Sequence, residues 1–153
     1  MRTPTLPHWL TYLGALPFVL ALLIACYGQF GWSEFWIYEI RFSRFKSYTV
    51  GHTYGAVIVA FLGGIQWGIS LQHPNDRQYF MASNVLALTA WFSLFMFASF
   101  AGVMMITLAF ILALWIDRHA FQAGAIPDWF WQLRKRISLV VIAALAGLLL
   151  ING

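Results

Sequence analysis

Charge is what this chain has least of. Only 9% of its 153 residues are Asp, Glu, Lys or Arg, against roughly 25% in an ordinary soluble domain. A surface in water cannot be built from so few charges, whereas a surface in lipid needs none. Cysteine is nearly absent too: Cys26 stands alone, which excludes an internal disulfide and any metal site built on several thiolates. Leu23-Ile24-Ala25-Cys26 has the form of a lipoprotein processing site, yet it reads better as part of a retained first span, with Cys26 a small packing residue. A Gly-rich phosphate loop, a nucleophile elbow and a Cys-x-x-Cys-His haem attachment are all missing. No Asp, Glu, Lys or Arg falls in the interior of an apolar run. An ion-coupled pump or secondary transporter needs such groups at depth, so both are disfavoured.

Apolar and aromatic residues fill the space. They make up 61% and 18% of the chain, and the mean hydropathy is +0.75. A helix needs about 20 apolar residues to cross a bilayer. The pattern predicts an all-α membrane protein, a single domain over 1–153 with five transmembrane helices at about 9–30, 50–71, 79–97, 102–116 and 137–151. Pro17, in the middle of the first, should kink it and free the carbonyl of Leu13. Residues 79–116 are too long for one crossing, about 57 Å as a helix, and Ala98 to Gly102 is the least apolar place for a break. The first and fourth loops read as interfacial amphipathic segments. The first mixes Glu34, Glu39, Arg41, Arg44 and Lys46 with Trp32, Trp36 and Phe42, and is expected to be partly helical. In the fourth, Gly124 should end one helix, and Pro127 and Asp128 should begin the next.

Nine Lys/Arg against five Asp/Glu give a net charge of +4 and a pI near 9.6. The basic residues flank apolar runs, where they face lipid head groups and set topology rather than bind nucleic acid. Arg2, Arg77, Arg118, Arg134, Lys135 and Arg136 share one side; Arg41, Arg44 and Lys46 share the other. The bias predicts a multi-pass protein with its N-terminus cytoplasmic and its C-terminus outside.

In the second span Ala56, Ala60, Gly64 and Gly68 recur every four residues, and Gly63 widens the stripe. Such stripes let helix backbones approach closely in lipid; internal packing is the ordinary use, contact with a flat cofactor or partner helix the sharper one. Gln66 and Trp67 lie beside the stripe. An antiparallel hairpin of the second and third spans would put Gln66 at the depth of Asn84, within reach of an amide–amide hydrogen bond. Asp117 ends the fourth span, and a salt bridge to Arg134 or Arg136 would pin the fourth span to the fifth. His8, His52, His73 and His119 read as interfacial. No two share a helical face, so no metal or cofactor is predicted; haem and quinone remain the groups to test.

Tyr12-Leu13-Gly14-Ala15-Leu16-Pro17-Phe18 resembles the Gly-x-x-Pro-Phe first span of the DUF3429 / transmembrane protein 69 family. Tyr54 with Phe61-Leu62-Gly63-Gly64-Ile65-Gln66-Trp67-Gly68 resembles its central signature. Asp117 followed by Pro127, Trp129, Leu133 and Arg134 resembles its closing pattern. The resemblance implies a small multi-span protein of a bacterial inner membrane or its mitochondrial descendant, and no established activity. Many relatives carry His where this chain has Gln66, a substitution that a hydrogen-bonding role tolerates and a metal-binding role does not.

Three functions from different classes are expected. The first is a non-catalytic accessory or assembly subunit acting through helix contacts in a larger membrane complex, a respiratory one among the candidates, or in a homo-oligomer. The second is a binder or carrier of a lipophilic molecule such as a quinone, lipid or haem, which the many aromatic side chains could line. The observation that would bear on it most is whether a ligand-sized cavity lies beside Gly64 and Trp67. The third is a membrane enzyme built on Asp117, His119 and Arg134, which requires a polar cleft.

Overall fold

The computed structural model describes residues 5–29, 35–37, 40–42, 44–73 and 77–152. Expectations resting on Arg2, Glu34, Glu39 and the 74–76 turn, and on the side chains of His8, Arg41, Arg44 and Lys46, lie outside the described residues and side chains.

The chain is a helical bundle. Helices α1 (Thr5–Leu13) and α2 (Leu16–Gln29) form the first crossing, followed by α3 (Arg44–Gln72), α4 (Arg77–Ser93), α5 (Phe100–Gln122) and α6 (Asp128–Asn152). Four segments are long and apolar enough to span a membrane: Trp9–Tyr27, Ser47–Gln72, Arg77–Met96 and Phe100–Gln122. With 25 residues, α6 extends about 37 Å at 1.5 Å per residue and supplies the fifth element of crossing length. Large apolar side chains such as Leu23, Val57, Phe61, Leu108 and Leu150 point outward. Lipid solvates such a surface.

Helix α3 packs against α2, α4 and α5, while α6 closes the bundle against α2 and α5. Phe18, Val59, Ile106, Phe110, Leu145 and Leu148 fill the centre. Phe18 meets the rings of Tyr54 and Phe110 at centroid distances of 5.2 and 5.6 Å.

The boundaries differ from the sequence expectation at several points, each with a local cause. The first crossing breaks at Gly14-Ala15 rather than at Pro17. Proline lacks an N–H, so it fits a first helical turn, where that donor would have no partner; Pro17 accordingly sits second in α2. The segment expected to be partly helical holds a two-stranded antiparallel ribbon, with Phe35–Ile37 paired to Ile40–Phe42 and Ile37 opposite Ile40. The end of the same segment, from Arg44 onward, is helical as expected and belongs to α3. The break near Ala98 to Gly102 is present. A 3₁₀ turn at Leu94–Met96 ends α4, Ala98 takes φ of 50°, and the Ser99 hydroxyl caps α5 by accepting from the Gly102 N–H at 3.1 Å. Gly124, at φ of 73°, ends α5. Pro127 then accepts the first N–H groups of α6, from Phe130 and Trp131 at 3.1 Å each.

Candidate functional site

Three crossings contribute one polar side chain each to a buried cluster: Gln66 from α3, Asp117 from α5 and Arg134 from α6. On α5 the inward residues Val103, Ile106, Phe110, Ala113, Asp117 and Ala120 are spaced three or four apart, one face of a helix. On α6 Arg134, Ile137, Val141, Leu145 and Leu148 do the same. The α5–α6 turn lays these faces together, so Arg134 Nε donates to Asp117 Oδ2 at 2.8 Å. The other carboxylate oxygen, Oδ1, accepts from Gln66 Nε2 at 2.7 Å.

All three residues are buried, at 1% exposure for Gln66, 2% for Asp117 and 7% for Arg134. The cluster corrects the expectation that no charged group lies inside a crossing. Helix α5 runs to Gln122 rather than ending at Ile116, which carries Asp117 more than a turn inside the helix and onto its inner face. An isolated ionised side chain in this environment is prohibitively costly; a carboxylate with both oxygens occupied and a guanidinium at contact distance form a neutral unit.

The remaining expected site residues are distributed as follows. Arg134 makes the expected ion pair, whereas Arg136 is exposed and does not pair with Asp117. Asn84 is exposed and donates to its own helix at Phe80 O, 2.9 Å, so it makes no bond to Gln66. Trp67 is 45% exposed and lies 5.0 Å from the ring of Phe80. Ala56 is buried, but Ala60 and Gly64 face outward, and a Cβ on Gly64 or Gly68 would meet nothing within 4 Å. The packing stripe is one residue earlier, at Gly51, Gly55, Val59 and Gly63. A Cβ on Gly51 would come within 2.9 Å of Leu148, on Gly55 within 2.6 Å of Ile106, and on Gly63 within 2.9 Å of the Ser83 carbonyl oxygen.

His52, read as interfacial, is fully buried at the opposite end of α3. Its Nδ1 accepts the Ala98 N–H at 3.3 Å and so helps fix the α4–α5 break. Its ring lies against Gly102, where a Cβ would come within 2.8 Å of Cε1. His73 and His119 are exposed. Among the described residues no group of three His, Cys, Asp or Glu is placed to hold a metal ion.

A cavity of about 330 Å³ opens beside the cluster, with none of its walls formed by Gly64 or Trp67. The α1–α2 break contributes Gly14, Ala15 and Phe18; α3 adds Tyr54 and Ile58; α5 adds Phe110; α6 adds Arg134 and Ser138. Tyr54 donates its hydroxyl to the Gly14 carbonyl at 3.0 Å. Arg134 therefore serves two places, holding Asp117 through Nε and forming part of the cavity wall. Its other N–H groups make no hydrogen bond among the described residues, and the buried Ser138 hydroxyl has no partner there either. An apolar cavity with a few fixed donors can orient one hydrogen-bond acceptor on an otherwise greasy molecule. Asp117, Arg134 and His119 do not converge on a polar cleft: the first two bind each other in the interior, and His119 lies outside against Trp115 at 4.3 Å.

These features define a polytopic helical membrane protein with a buried polar cluster tying three crossings together. The model of the family described as "Protein of unknown function (DUF3429)" matches residues 3–150, and the chain belongs to that family. It is similar to Transmembrane protein 69 of Xenopus tropicalis, with 29% identity over 147 residues, covering 90% of this chain and 51% of the relative. The chain thus spans about half the length of that curated relative. No solved structure matches.

Proposed function

We propose that the chain binds a lipophilic molecule bearing a neutral hydrogen-bond acceptor, a quinone or an ester carbonyl being the type, in the cavity between the α1–α2 break, α3 and α6. The observation that carries this reading is the wall made by Arg134 and Ser138, polar groups with donors to spare among the described residues, in a largely apolar cavity of ligand size. The charge of Arg134 is already balanced by Asp117. An anionic ligand would leave a net buried charge, which is costly at this depth, so a neutral acceptor fits best. Mild-detergent purification followed by mass spectrometry of the organic extract and an absorption spectrum tests it. A stoichiometric lipophilic compound is expected, and Ser138→Leu, which narrows the cavity, should reduce its recovery. Recovery of no such compound from several mild detergents would count decisively against binding.

A second reading, an accessory or assembly subunit docking through the outer face of α3, is favoured by the open space over Gly64 and Gly68. Small residues without a covering side chain admit a partner helix closely. Affinity purification distinguishes it, since a monodisperse monomer with no companion would sink it. Residence in an inner membrane with the N-terminus cytoplasmic is supported by the Lys/Arg bias, and labelling of single cysteines placed at the two ends tests the orientation.

A further inference from the structure

The outer surface of the α5–α6 hairpin carries a second, separate feature. A groove of about 650 Å³ runs between the two helices at the end where they are joined. Arg118 and Lys135, both exposed, line it. Neither makes an ion pair among the described residues, because Asp117 is inside the bundle and committed to Arg134. Among the described residues no carboxylate lines the groove. On the joined-end side of the cations Trp131 stacks on Phe121 with centroids 5.8 Å apart and planes 14° apart. Away from the joined end, past the cations, its wall passes to Trp115, about 4.5 Å from Arg118 along α5 at 1.5 Å per residue, and then becomes aliphatic. Ile111 and Leu139 follow, about 10 and 6 Å deeper than Arg118 and Lys135 along their helices at 1.5 Å per residue. Cation, then indole, then hydrocarbon is the order in which a lipid presents phosphate, glycerol and acyl chain.

We infer that this groove is a binding site for one anionic phospholipid, its phosphate between Arg118 and Lys135 and an acyl chain laid along Ile111 and Leu139. Charge complementarity selects the class. A zwitterionic head group would bring an ammonium into a groove with two cations and no acid to receive it. An anionic one meets only cations, each contributing attraction near the surface of an anionic leaflet. The site is distinct from the interior cavity, and its test is independent of that reading.

Native mass spectrometry of the full chain in detergent, after equilibration with phosphatidylglycerol, phosphatidylethanolamine or phosphatidylcholine of matched acyl chains, is the experiment. Retention of phosphatidylglycerol about tenfold or more above the other two is expected, the size that two basic contacts supply. The double variant Arg118→Gln/Lys135→Gln should abolish that preference. Arg77→Gln/Arg136→Gln removes the same charge from exposed positions that do not line the groove, and should keep it. Circular dichroism of both double variants should match the parent, since all four side chains are exposed. Equal retention of the three lipids, or equal loss of preference in both double variants, overturns the site. An excess of inorganic phosphate should leave the lipid bound; displacement by phosphate would overturn the lipid assignment.

Discussion

Tyr54 reaches from α3 to the α1–α2 break and donates its hydroxyl to the carbonyl oxygen of Gly14 at 3.0 Å. The break creates the need for it. The Phe18 N–H, which a continuous helix would give to Gly14, bonds instead to Ala15 O at 3.1 Å. In lipid no water can satisfy the freed carbonyl. Tyr54→Phe keeps the ring packed against Phe18 and removes only the donor. The variant should lose about 0.6–2 kcal/mol, seen as a midpoint a few degrees lower in thermal unfolding followed by tryptophan fluorescence in detergent. An unchanged midpoint would mean that the carbonyl has another partner.

The Asp117–Arg134 pair makes a sharper prediction. Asp117→Leu leaves a guanidinium in the interior without its counter-charge, and should cost about 3–5 kcal/mol, as breaking one side of a buried pair does. Arg134→Met strands the carboxylate and should cost a similar amount. The double variant strands neither charge and should be more stable than either single one. A double-mutant cycle in which the two losses simply add would show that the residues do not act as a pair.

Gln66 offers a chemical comparison on the same carboxylate. Gln66→His retains an N–H donor near Asp117 Oδ1, whereas Gln66→Leu retains none. Histidine should stay within about 1 kcal/mol of the parent, and leucine should lose about 1–3 kcal/mol, the cost of an unmet buried partner. Equal stability of the two would remove hydrogen bonding to Asp117 as the reason for Gln66.

Much of the architecture was legible from length and polarity alone, since a crossing helix is specified by a run of apolar residues. The split of 79–116 was legible for the same reason, and Ser99 with Gly102 supplied the cap. The cluster was only half legible. Asp117 and Arg134 were paired correctly, but counting apolar residues ended the fourth span at Ile116 and hid their depth. The spacing of Val103, Ile106, Phe110, Ala113, Asp117 and Ala120 carries the missing information, for it places Asp117 on the same inner face as the core. Its bond to Gln66 joins residues 51 positions apart, and no local pattern encodes that. His52 was missed because its partner is a backbone N–H in an irregular turn, whose geometry periodicity does not describe.

The face of α3 that packs is the point on which sequence and structure disagree most directly, and adjacent glycines test it. Gly63 and Gly64 differ by about 100° around the helix. A Cβ at Gly63 would lie 2.9 Å from the Ser83 carbonyl oxygen, a backbone atom that moves only if α4 moves. Gly63→Ala should therefore destabilise by about 1–3 kcal/mol, the usual cost of overpacking. At Gly64 the same atom meets nothing within 4 Å. Gly64→Ala should be neutral or stabilising, by up to about 1 kcal/mol, because alanine loses less backbone freedom in a helix. If Gly64 and not Gly63 proved sensitive, the helix would have to be rotated by one residue, taking Gln66 away from Asp117 with it. Gly64→Leu extends the test to function. The monomer should fold as before, while a partner helix seated on this face would be displaced. Loss of a co-purifying protein with an unchanged melting midpoint would therefore assign the outer stripe to assembly and leave the inner one to the fold.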